Sequence, residues 1–203
     1  MKKLLKQQSI YLMHWEDKLF KRMLVTVFIL LLSSQVFALD GKRKGFVAIL
    51  GLGVAPVAQW ESSTDVTETR FGKSVQILLG YGFNEKNCLL WNIHGSYYDE
   101  SEEIPKASFG QGLHGIRWYH FYKESKRSVF TTLGLGAFAF SVWNKPVNTD
   151  DMGTRGFGVT MGVGYQINTM MIIELNYIHG WTEINSVEYN HNVLSLMGSI
   201  VVF

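Results

Sequence analysis

From Gly156 to Ile167 the side chains divide cleanly by parity. Phe157, Val159, Met161, Val163, Tyr165 and Ile167 fall on one face of an extended chain, and Gly156, Gly158, Thr160, Gly162, Gly164 and Gln166 on the other. Alternation at period two is a strand pattern rather than a helical one. The composition of the two faces narrows the fold further. One face is bulky and apolar, suited to hydrocarbon; the other is small or polar, suited to a cramped wet interior. A transmembrane barrel asks this of each strand, because lipid-facing and lumen-facing side chains must alternate.

The same design recurs along the chain. Lys73 to Phe83 sets Val75, Ile77, Leu79, Tyr81 and Phe83 against Ser74, Gln76, Leu78, Gly80 and Gly82. Cys88 to Tyr98 sets Leu89, Trp91, Ile93 and Tyr97 against Leu90, Asn92, His94, Ser96 and Tyr98, and Met171 to His179 sets Ile173, Leu175 and Tyr177 against Glu174 and Asn176. Phe109 to Phe121 reads in either orientation; placing Ile116 and Trp118 outward sends Arg117 into the lumen rather than into hydrocarbon. Gly45 to Ala55, Val129 to Val142 and the terminal, uncharged Asn192 to Phe203 are apolar on both faces, so their facing stays open. No convincing amphipathic helix follows Gly45.

These segments make eight, and an even number returns both termini to one side. The expected fold is all-β: an eight-stranded antiparallel up-and-down transmembrane β-barrel with short periplasmic turns and longer extracellular loops. The short connections are Asn84 to Asn87, Tyr122 to Arg127 and Asn168-Thr169; the long ones are Pro56 to Arg70, Asp99 to Ala107, Trp143 to Arg155 and Gly180 to His191. Aromatic residues gather at both ends of the strands. Phe83, Trp91, Trp118, Tyr119, Phe121, Phe130, Tyr165 and Phe203 lie towards the short turns, and Trp60, Tyr97, Tyr98, Trp143, Phe157, Tyr177 and Trp181 towards the long loops. Two such belts match the two membrane interfaces.

The N-terminal segment reads as a leader. Lys18, Lys21 and Arg22 precede the apolar run Leu24 to Leu32, with small residues up to Ala38. The run is too short to span a bilayer and fits a secretory signal peptide over residues 1–38, with translation starting at Met13 or Met23 and the barrel domain over 39–203. The leader holds six of the 19 Lys/Arg and two of the 17 Asp/Glu, which leaves 13 basic and 15 acidic residues in the remainder. The excess of basic residues in the whole chain therefore belongs to the leader, and nucleic acid is not an expected partner. Cys88 is the single cysteine, so no internal disulfide forms.

In strand count, loop rhythm and the aromatic Phe203 at the end of the last strand, residues 44–203 resemble the small OmpA/OmpX-type eight-stranded barrels of the Gram-negative outer membrane. The resemblance implies outer-membrane lipid and lipopolysaccharide as surroundings, the barrel-assembly machinery as a partner, and Phe203 as an assembly signal. It also raises a lipid A deacylase, which uses a His and a Ser two residues later. His179 is followed at that spacing by Trp181, with Thr182 beyond, so the nucleophile is missing.

Eight strands leave a lumen that side chains fill. The candidate lumen residues are Gln76, Asn92, His94, Ser96, Arg117, Thr160, Gln166, Glu174 and Asn176, with Lys73 near one rim. Arg117 and Glu174 are the natural ion pair, since a charge in this space needs a partner. In the long loops, eleven Asp/Glu face four Lys/Arg. The carboxylates Asp99, Glu100, Glu102, Glu103, Asp150 and Asp151 are the candidates for a divalent cation or an external ligand, although no EF-hand spacing is present. No G-x-S-x-G, H-E-x-x-H or paired Cys/His spacing occurs, and no cofactor or resident metal is expected. The expected role is non-enzymatic: an integral barrel that stabilises the outer membrane or contacts a host surface or extracellular ligand. A lipid A-modifying enzyme or a narrow ion channel is the alternative.

Overall fold

The computed structural model describes residues 42–62, 67–98, 107–124, 127–144, 152–184 and 186–203. The leader, the carboxylates Asp99 to Glu103 and the pair Asp150-Asp151 lie outside the described residues. Eight strands form a closed antiparallel meander: β1 (Gly45–Ser62), β2 (Thr67–Gly82), β3 (Asn87–Tyr98), β4 (Ala107–Phe121), β5 (Ser128–Asn144), β6 (Met152–Gln166), β7 (Met171–Ile184) and β8 (Val187–Val202). Each strand pairs with its sequence neighbour, and β1 closes on β8 through a register that includes Ala48↔Val202 and Gly53↔Met197. Closure removes both sheet edges and satisfies the backbone without water, as a chain in hydrocarbon must.

The strands run further than the sequence suggests. Pro56 reads as the start of a loop, yet β1 continues to Ser62 through a bulge: Ala55 pairs with Gly72 and Ala58 with Arg70, so Pro56 and Val57 oppose the single residue Phe71. An extra residue at a proline spares the ladder the missing N–H and keeps pairing alive beyond it. The bulge also switches parity, so both Ala55 and Ala58 face inward. Similarly, Gly180 to His191 is not an open loop; its pairing persists to Ile184↔Val187, and Ser186 in the turn adopts a left-handed φ of 64°. Polar residues carry these hairpins past the apolar band, where alternation alone no longer reveals a strand.

Burial settles every facing. Val75, Ile77, Leu89, Trp91, Ile93, Ile116, Trp118, Met161, Val163, Ile173 and Leu175 are exposed on the outer wall. The strands left open follow suit: β1 turns Val47 and Ile49 inward and Leu50 and Leu52 outward, β5 turns Phe130 and Phe138 inward and Leu133 and Leu135 outward, and β8 turns Val193, Met197 and Val201 inward. Continuous apolar exposure around a closed wall is a hydrocarbon-facing surface.

One part of the aromatic assignment is overturned. Tyr98, Tyr119, Phe121, Phe130 and Phe203 share the inward parity of their strands and are buried in the lumen rather than set in a belt. Phe203 meets the edge of Phe121, with ring centroids 6.3 Å apart, so its ring does not anchor the strand in lipid. Position along a strand fixes height, whereas belt or lumen depends on parity. The lumen is thereby filled in layers. An apolar cluster with Leu78, Leu90, Tyr119, Phe121 and Phe130 lies towards the short turns, and a second with Tyr98, Phe109, Leu113, Phe138 and Phe140 towards the long loops.

Glycines on the inner wall make room for these rings. A methyl group at Gly180 would collide with three carbons of the Phe138 ring. Gly180→Ala is therefore expected to destabilise the barrel by about 1–3 kcal/mol through overpacking, read as a lowered urea midpoint in detergent micelles, whereas Gly95→Ala, whose added carbon meets nothing within 4 Å, is the matched control.

Candidate functional site: the filled lumen

Between the two apolar clusters lies a polar layer. Arg117 on β4 and Glu174 on β7 meet across the lumen, Nη2 to Oε1 at 2.6 Å, with both side chains fully buried. Their strands are not neighbours, so the pair spans the interior. Arg117 Nη2 also donates to Thr132 Oγ1 at 2.7 Å and to Asn176 Oδ1. Glu174 is held on both oxygens: Thr132 donates to Oε1 at 3.1 Å, while the Tyr119 hydroxyl at 3.1 Å and Gln76 Nε2 at 3.5 Å donate to Oε2. Gln76 Nε2 further donates to Ser199 Oγ at 2.9 Å. Gly162 leaves the space: a carbon added there would sit 2.7 Å from Thr132 Oγ1 and 2.9 Å from Arg117 Nη2. A charge-assisted network of this density suits an interior closed to bulk solvent, where buried polar groups need partners.

His94 and Asn92 lie beside this network rather than in it. His94 Nε2 is 3.3 Å from Ser195 Oγ, Asn92 Nδ2 donates to the Leu113 carbonyl at 3.4 Å, and the Ser74 and Ser96 hydroxyls pair at 2.7 Å. Thr160 is buried at the same face without a protein partner for its hydroxyl. Arg117 Nε and Nη1 and Asn176 Nδ2 likewise have no protein partner, the setting in which internal water is ordinarily found.

Gln166 belongs to a second constellation at the turn end of the barrel, one the sequence did not disclose. Arg43, just before β1, is buried, and its Nε and Nη2 both donate to Gln166 Oε1 at 2.9 and 2.7 Å. Its Nη1 donates to the carbonyls of Glu85 and Lys123, each at 2.7 Å, and its backbone N–H to Glu85 Oε2 at 3.1 Å. The guanidinium stacks 4.0 Å over the Phe121 ring. One side chain thus ties the entry of β1 to two turns and the end of β6 and closes the floor. Nothing distinguishes Arg43 from Lys42 and Lys44 in sequence, because the bidentate fork matters only once Gln166 and the two carbonyls converge. Arg43→Lys is expected to lose about 1–3 kcal/mol of stability in a micelle unfolding titration, since an ammonium cannot fill all these bonds.

Lys73 departs from expectation. It is exposed and shares the outward parity of Val75, so it lies on the outer wall and not at the lumen rim.

No family model matches the chain, and no curated protein matches it. Solved structures do. Ail, the attachment invasion locus protein of Yersinia pestis, aligns over 79% of this chain and 99% of its own with a TM-score of 0.53 at 12% identity. Neisserial surface protein A aligns over 77% and 97% with a TM-score of 0.52 at 20% identity. The chain has the fold of the small eight-stranded outer-membrane barrels. Ail has also been solved with the heparin analogue sucrose octasulfate, at a TM-score of 0.52 and 13% identity over 79% of this chain and 99% of its own.

Among the described residues, no serine or threonine hydroxyl hydrogen-bonds His179. Its Nδ1 bonds Asn192 Oδ1 at 2.7 Å, an acceptor shared with the Tyr177 hydroxyl at 2.6 Å. Thr182, the nearest aliphatic hydroxyl in sequence, faces the lumen and bonds His191 Nε2 at 2.8 Å, on the opposite side of the wall.

Proposed function

We propose that this chain is a non-enzymatic protein of the bacterial outer membrane whose barrel is a closed scaffold for surface display. The observation that carries the reading is the lumen itself, filled by an apolar cluster, the Arg117–Glu174 layer, a second apolar cluster and the Arg43 floor. A barrel plugged at four levels is built for rigidity, and function then falls to the hairpins and loops beyond the lipid. Those segments carry eleven Asp/Glu against four Lys/Arg. A cationic surface, or one bridged through divalent ions by Asp99, Glu100, Glu102, Glu103, Asp150 and Asp151, complements them. The polysulfated ligand of Ail would meet like charge on these acidic segments, so the shared fold does not argue for a shared ligand.

Export by the leader over residues 1–38 and assembly by the barrel-assembly machinery fit the same reading, with lipopolysaccharide as the neighbour of the outer leaflet. Phe203 serves as an assembly mark in this proposal. Deleting it should lower the yield of the heat-modifiable, membrane-inserted form; an unchanged yield would remove Phe203 from that role.

The deciding experiment compares a deletion strain with its complemented parent for adhesion to host cells and for membrane integrity, alongside planar-bilayer recording of the purified protein. Loss of adhesion or integrity with no conductance supports the scaffold. Steady single-channel conductance from wild-type protein refutes the plugged lumen, and altered lipid A masses in the deletion strain refute the non-enzymatic reading.

A further inference from the structure

Towards the long-loop end, the outer wall of β6, β7 and β8 carries a depression of about 350 Å³ whose outward-facing side chains are Arg155, Trp181, Glu183, Glu188 and Asn190. Its charges are arranged at a cost. Glu183 and Glu188 are directly opposite each other in the β7–β8 ladder, both exposed on the same face. Like charges in that relation destabilise a hairpin. Gly156 pairs with Thr182, so Arg155 is carried alongside Glu183 on the neighbouring strand. Even so, among the described residues neither carboxylate forms an ion pair with it. Beside them Trp181 is half exposed, stacked with Phe157 at 6.0 Å and held by a perpendicular His179 ring at 4.2 Å.

Height identifies the surroundings. Trp181 stands ten positions from Met171, where β7 begins, and Arg155 eleven from Gln166, where β6 ends. A tilted spanning strand uses about 9–11 residues, so the depression lies at the level of lipid headgroups. A ligand that complements it carries a cation for the two carboxylates and the face of Trp181, and an anion for Arg155 a strand spacing away, about 4.8 Å. We infer that this cleft binds a zwitterionic phosphoamine headgroup of the surrounding membrane, with its ammonium between Glu183 and Glu188 over Trp181 and its phosphate on Arg155. The inference goes beyond the display role, and with the long loops outside, the headgroup is a phosphoamine carried by the outer-leaflet lipid.

The test uses the full barrel refolded in an uncharged sugar detergent, with folding checked by heat-modifiable migration so that a failed barrel is told apart from a failed site. A short-chain phosphoethanolamine lipid is titrated while tryptophan fluorescence is read, Trp181→Phe serving to isolate that residue's signal from the barrel's other four tryptophans, Trp60, Trp91, Trp118 and Trp143. Saturable binding is expected, weakened about two- to five-fold by Arg155→Gln and by Glu188→Gln, the factor an exposed ion pair supplies. Glu188→Gln has a second signature: by relieving the repulsion, it should leave the lipid-free protein at least as stable as wild type while binding less. A merely structural carboxylate would not separate those readouts. Equal binding of a phosphoglycerol lipid, the same response to Ca²⁺ alone, or unaltered affinity in both variants would overturn the assignment.

Discussion

Arg117→Ala and Glu174→Ala should each cost the folded barrel about 3–5 kcal/mol, and the double variant should recover part of that loss. Each single change strands a charge with no access to bulk water, since both side chains are fully buried. The remaining partners decide how unequal the two losses are. Without Arg117, Glu174 keeps the Thr132 and Tyr119 hydroxyls and Gln76 as donors. Without Glu174, Arg117 keeps only the Thr132 hydroxyl and the Asn176 carbonyl as acceptors. Glu174→Ala should therefore be the more damaging, and Glu174→Gln should recover much of the geometry but little of the charge balance. Urea unfolding in micelles measures all four corners of the cycle. Strictly additive losses would show that the 2.6 Å contact contributes no coupling.

Met161→Arg is expected to cost about 2–4 kcal/mol, and Val163→Arg less. On β6 the outward residues run Phe157, Val159, Met161, Val163 and Tyr165, with an exposed aromatic at either end and Met161, half exposed, at the centre. An arginine at the centre has the longest reach to either interface, whereas one at Val163 can extend past Tyr165 to water. The inward face offers no mild control at Gln166, because a guanidinium there would oppose Arg43, whose Nε and Nη2 it now accepts. Reconstitution into vesicles followed by denaturant titration gives the order, and equal losses at 161 and 163 would place the bilayer centre elsewhere on β6.

The alternation of Val75 with Gln76, Trp91 with Asn92 and Val163 with Gly164 determined that the chain builds a barrel wall, because a side chain between lipid and lumen has only two directions to face. It also sent Arg117 inward, since the other direction is hydrocarbon. That logic is local, one residue against the next, and is legible in one dimension. What lies across the lumen is not. Arg117 meets Glu174 three strands away, Phe138 settles over Gly180, and Arg43 collects Gln166 with two turn carbonyls. These meetings depend on the stagger of eight strands around a closed circumference, a quantity no single strand carries. Strand length is lost for a related reason. Beyond the apolar band the outer face meets polar surroundings rather than hydrocarbon, the alternation fades, and hydrogen-bond pairing shows that β1 passes Pro56 and that β7 and β8 continue to Ile184 and Val187.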